Sequence, residues 1–159
     1  MTTRSAALAQ QFGAKVEDAT ARFEKLSEAD WTKVTEAEKW SVGVTAHHLA
    51  GVLEPIAHMI EAVVAGQVPG TMTGASIDAM NARHARDYVH CTKAETIELL
   101  QKGAAVASAV VRGLSDDQLA TSGRVLADAP PMTAEQLITG GLIAQIDEHL
   151  GSIRKTVGH

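Results

Sequence analysis

Apolar residues recurring three and four positions apart, over four separate stretches, constrain this chain more than any other feature. Leu8, Phe12, Val16, Ala19, Phe23 and Leu26 follow one another at intervals of 4, 4, 3, 4 and 3, the pattern of a helix with one buried face. The spacing predicts a first helix over roughly 4 to 26. Ile97, Leu100, Ala104, Ala107, Val111 and Leu114 repeat the pattern after a Thr92 and Glu95 capping box, and Leu137, Ile138, Leu142, Ile146, Leu150, Ile153 and Val157 do so after a Thr133 and Gln136 box. With a second helix placed at about 42 to 66 behind Ser41 as N-cap, the count is four long helices.

Runs that alternate Val, Thr and Tyr between turns are absent, so no sheet is expected. Hydrophobic residues make up 45% of the chain and aromatic residues only 3%, which leaves Leu, Ile, Val, Met and Ala to build the core and suits close helix packing. A chain of 159 residues reads as one domain, burying about 70% of its extended surface. After Gly66 the segment GQVPGTMTGAS holds three glycines and Pro69 and reads as a long crossover loop, of the kind that joins parallel neighbours. The expected fold is therefore all-α, a four-helix bundle with one long crossover.

A formal net charge of −5 gives no basic footprint for phosphates, and so few aromatics give no stacking platform for bases, which argues against nucleic acid as a partner. Cys91 is the only cysteine; an internal disulfide is excluded and a reducing cytoplasm fits. The N-terminal residues MTTRSAALAQQF lack a sustained apolar core, and Leu49 to Val64 is broken by Glu54, His58 and Glu61, so neither a signal peptide nor a membrane span is expected.

Chemistry enters with the histidines of the second helix. On a helical wheel His48 falls within about 20° of Pro55 and Met59 and looks along an apolar stripe. His47 shares its stripe with Glu54 and His58, read as the wet side. Pro55 lacks the N–H that would bond to Gly51, so the helix should bend within two turns of His48. On the last helix Gln145 and His149 are four apart, both within about 20° of Ile138, and again polar groups point into an apolar arc. His48, Gln145 and His149 could converge as three donors that leave open positions for water or substrate. A glutamine amide is a poorer ligand for Zn or Ni than imidazole, so such a site should bind weakly. Trp31 and Trp40, in the linker before the second helix, are expected to close one end of the bundle; His84 and His90 are read as surface residues, and Cys91 as an inert thiol.

Trp40 and Ser41 followed by His48 and Leu49, then IDAMNA at 77 to 82, then IDEHLGSIR at 146 to 154, resemble the DinB-like (YfiT-like) superfamily, which takes in the N-terminal domain of mycothiol-dependent maleylpyruvate isomerase. The resemblance implies a four-helix bundle holding a divalent metal on three histidines, one on the second helix and two from an HxxxH on the last. Carried over, the ligands would be His48 and His149, and the first histidine of the HxxxH is Gln145 in this chain. Several members resemble thiol-dependent S-transferases or isomerases, in which the metal activates a low-molecular-weight thiol or water.

Asp78 and Asn81, one turn apart in IDAMNA, are candidate catalytic groups that could hydrogen-bond a ligand or a metal-bound water, or simply cap their own helix. Tyr88 lies on the Asn81 stripe, and Arg154 could meet a substrate carboxylate or complement the helix dipole. Three readings follow: a metal-dependent thiol transferase or hydrolase acting on a small molecule, a degenerate metal-free protein binding a small ligand or partner in the same cleft, and a structural homodimer.

Overall fold

A computed structural model describes residues 2–68 and 70–159; Pro69, assigned to the crossover loop, lies outside the described residues. In chain order the elements are α1 (Arg4–Lys25), α2 (Glu28–Thr32), α3 (Val42–Gly51), α4 (Leu53–Ala65), α5 (Gly74–Asp87), α6 (Lys93–Arg112), α7 (Asp116–Leu119), β1 (Ser122–Gly123), β2 (Met132–Thr133), α8 (Ala134–Gln136), a π-helical segment (Leu137–Ala144) and α9 (Gln145–Val157). Among the described residues the fold is all-α, relieved only by the two-residue antiparallel pair β1 and β2 and an isolated bridge between Val34 and Ser41.

Local chemistry sets most boundaries. Thr3, Ser41 and Thr92 accept from the backbone N–H three residues on, and capping boxes at Thr92 with Glu95, Ser115 with Gln118 and Thr133 with Gln136 open α6, α7 and α8 as the sequence predicts. The second long helix is divided at Val52 into α3 and α4. Pro55 explains the division, since it cannot donate to Gly51 and its ring crowds the preceding turn. Gly66, at φ 69°, closes α4 in the left-handed conformation.

Four long rods pack around one core: α1, α3 with α4, α6, and the π segment with α9. Their directions follow from who meets whom. Cys91 Sγ donates to Gly43 O at 3.4 Å and Gly103 abuts Ala50 and Leu53, so α6 runs parallel to α3 and α4, as the crossover loop predicts. Lys15 pairs with Asp147 at 2.9 Å and Arg4 with Glu135, so α9 runs parallel to α1. The other neighbours are antiparallel: Lys93 Nζ, at the start of α6, donates to Leu26 O at the end of α1, 2.8 Å away.

Phe12, Phe23, Leu49, Leu53, Ile60, Leu100, Ile138, Leu142, Ile146 and Leu150 are all essentially inaccessible. Each such side chain contributes about 1.5 to 3 kcal/mol by leaving water. Val42–Ala65, with mean hydropathy 1.3, is by length and composition alone apolar enough to cross a membrane; Leu49, Leu53, Ala57, Ile60 and Val63 of this rod are buried in the core of the fold.

Gly13 lies in the middle of α1, with no atom near the place a Cβ would occupy. Gly13→Ala should therefore raise stability by about 0.5 to 1 kcal/mol, read from the midpoint of urea unfolding, because a helical glycine restricts the unfolded chain least.

The charged helical pattern from Ser76 to about His90, which in the sequence reads either as the kinked start of the third long helix or as a separate short helix before it, is the separate helix α5, ending at Asp87, and none of its residues is buried. One expectation needs correction. The last rod is not uniformly α-helical, because residues 137–144 are wound as a π-helix. A wheel turning 100° per residue therefore misplaces Gln145 relative to Ile138.

Candidate functional site

The site gathers at the end of the fold where α3 and α6 begin and α1 and α9 finish. Trp31 and Trp40 lie there, as the sequence suggests. Trp31 Nε1 donates to Cys91 O at 2.9 Å, and the Trp40 ring meets His48 edge-on with centres 5.2 Å apart. His48 stands at the middle of a ring cluster. The His149 ring is 5.1 Å from it and nearly perpendicular, and the His84 ring is 5.6 Å away, also edge-on.

His149 is oriented from outside by Glu38. Its Nδ1 donates to Glu38 Oε1 at 3.0 Å, and Ser152 Oγ, one turn further along α9, donates to Glu38 Oε2 at 2.6 Å. Glu38 reaches this place because residues 34 to 41 fold back on themselves: Val34 bridges to Ser41, and Lys39 takes φ 63°, a conformation that non-glycine residues rarely adopt. Burial works to raise the Glu38 carboxyl, but hydrogen bonds from Ser152, Thr35 and His149 outweigh it and hold it below its ordinary value. With the His149 hydrogen on Nδ1, the lone pair of the neutral ring is on Nε2.

Gln145, one turn before His149, donates from Nε2 to Leu49 O at 3.3 Å. The reverse amide orientation would set two acceptors against each other, so Oε1 is the free end. That oxygen is buried and has no hydrogen-bond partner, which is uncommon for a buried polar atom.

His47 corrects the wheel reading. It is 7% exposed, turned under α5, with Nδ1 2.8 Å from His84 Nε2 and its ring stacked on Tyr88 at 4.1 Å. His84 is likewise not a free surface residue; it is half-buried, and its Nδ1 is enclosed without a partner. Burial, with His149 and His84 adding repulsion, pushes His48 down to about 4, and burial beside His47 does the same for His84. His58 remains exposed, close to Glu54 and Glu61, as expected of the wet face.

The catalytic candidates fare unequally. Asn81 is half-buried on the stripe of α5 that carries His84 and Tyr88, whereas Asp78 is exposed and about 120° around the helix from His84. Asp78 therefore faces solvent. Arg154 is exposed in the last turn of α9, where it complements the helix dipole. Cys91 is bonded to Gly43 O and burial pushes its thiol up, the condition of an unreactive cysteine.

Sequence reasoning missed Glu38, His47 and His84 and undervalued Trp40. The available signal was four histidines at 47, 48, 84 and 149 with no surface role in common. Among the described residues no three His, Cys, Asp or Glu side chains already converge on one metal position. Of the three donors the sequence points to, Gln145 is the third, and its unpartnered Oε1, next in line to His149 with its outer carboxylate, fits a weakly held ion.

No curated protein matches the chain. Residues 11–143 match the DinB superfamily, a span that includes His48 and ends just before Gln145 and His149. Since that match runs through most of its length, the chain belongs to the DinB superfamily.

Proposed function

We propose that the protein is a metal-dependent enzyme acting on a small molecule, a thiol-dependent S-transferase or hydrolase, in the cytoplasm. The observation that carries this reading is the line from Glu38 through His149 to His48, with the orphaned Gln145 Oε1 beside it. His48, His149 and Gln145 would hold a divalent ion, Zn or Ni. Such an ion, when bound, lowers the pKa of a thiol or water. The chain's own residues do the rest. Glu38 fixes the tautomer and aim of His149, burial keeps His48 neutral and able to donate a lone pair, and the Trp40 ring shields His48 from bulk water. Asn81, on the half-buried stripe of α5, is the residue best placed to hydrogen-bond a ligand.

A second reading is favoured by Gln145 itself: a metal-free relative that binds a small ligand or a partner without chemistry, with self-association an added option. Metal content of freshly purified, tag-free protein separates the two. The enzyme reading expects Zn or Ni approaching one per chain, lost in His149→Ala, and at least about tenfold tighter binding in Gln145→His. An empty wild type whose Gln145→His variant fills would sink the enzyme reading and favour the second.

A further inference from the structure

His84 and His149 approach His48 in the same manner. Each has one ring nitrogen held by another side chain: His149 Nδ1 by Glu38 at 3.0 Å, and His84 Nε2 by His47 Nδ1 at 2.8 Å. Each has its other nitrogen uncommitted, and for His84 that atom, Nδ1, is buried with no partner. Both rings stand edge-on to His48, with centres at 5.1 and 5.6 Å. Two imidazoles sharing one tetrahedral ion have ring centres roughly 5 Å apart, given metal–nitrogen bonds of about 2.0 to 2.1 Å.

We propose that His84, from α5, supplies the third imidazole of the site in place of the histidine that Gln145 replaces, with His47 as the residue that orients it. The proposal rests on the metal-dependent reading above. It assigns the hydrogen of His84 to Nε2, donated to His47 Nδ1, which frees the Nδ1 lone pair. The uncommitted nitrogens do not yet meet at one point, so α5 moves inward on binding. The motion gives up little apolar packing, because no residue of α5 is buried. What ties the helix down is Ala127 N donating to Met72 O at 2.7 Å and Gly74 N to Asp128 at 3.3 Å by its start, and His47 against His84 and Tyr88 further along. His84 then outranks Gln145 as a donor, imidazole being the better ligand for Zn, and the amide becomes the group a substrate displaces.

The test combines zinc affinity, from competition with a chromophoric chelator, with the number of imidazoles on Cu(II), from pulsed electron paramagnetic resonance. Wild type should show three imidazoles and His84→Ala two, with zinc binding weakened at least about a hundredfold, the upper end of what loss of an outer partner costs. His47→Ala should keep three imidazoles and weaken zinc about tenfold. Amide hydrogen exchange over 74 to 87 should slow when zinc is added to wild type and not to His84→Ala. Two imidazoles in both proteins, with equal zinc affinity, would overturn the role of His84 and leave the metal-dependent reading standing. Failure of wild type to bind zinc or copper at all would overturn both.

Discussion

Gly43→Ala is expected to destabilise the protein by at least about 3 kcal/mol, more than most single substitutions. Gly43 is buried near the start of α3, and a Cβ there would sit 2.3 Å from Trp31 Nε1 and 2.6 Å from Cε2. The indole is no loose end. It donates to Cys91 O and packs against the core, so moving it opens a void and leaves both the N–H and the carbonyl to find other partners. Urea unfolding measures the loss directly. The clash is specific to one pair, so Gly43→Ala should add little in a Trp31→Ala background, and a double-mutant cycle should return most of the effect as coupling. A loss below about 1 kcal/mol for Gly43→Ala alone would show that Trp31 can leave without penalty.

Acid should weaken the fold well before its carboxylates titrate. In the folded chain His48 and His84 are held down at about 4 from an ordinary 6.5. The unfolded chain takes up these protons first as the pH falls below 6.5, so stability declines from there and the histidine contribution levels off near pH 4. The scale is on the order of 2 to 3 kcal/mol for His48 and less for His84, which is less enclosed. Glu38 acts in the same direction at lower pH. Held below its ordinary 4.5, its contribution is complete above that value and is lost as the pH falls further. The melting temperature should therefore drop in two overlapping stages. His48→Gln should flatten the stage between pH 6.5 and 4, and Glu38→Gln the stage below 4.5. A melting temperature unchanged between pH 7 and 5 would refute the burial of neutral imidazoles.

The rods and most of their caps were legible because they depend on neighbours in sequence. Ser41, Thr92, Ser115 and Thr133 each have their cap partner three residues on, and the apolar spacing of α1 ends at Leu26, one residue past the helix. His48 and His149 were legible for the same reason, as polar groups inside apolar arcs. His47 was not, since its burial comes from Tyr88 and His84 on α5, some forty residues away, and α5 shows no apolar stripe strong enough to announce that it covers anything. Glu38 was hidden by its setting in a charged linker. Only the fold of residues 34 to 41, with Lys39 at positive φ, turns that carboxylate inward toward His149.

The π-wound segment from Leu137 to Ala144 gives the last rod a tolerance to chain length that ordinary helix lacks. A π turn takes up one residue more than an α turn does, so deleting one residue within it would let the rod rewind as ordinary helix with its two ends facing as before, and Gln145 and His149 would keep their aim. The same deletion between Ile146 and Glu148, where the winding is α-helical and holds no residue in reserve, would turn everything beyond it by roughly 100° and carry His149 away from Glu38. The rod records its alignment with the other helices in where its spare residue lies, as well as in which side chains it bears.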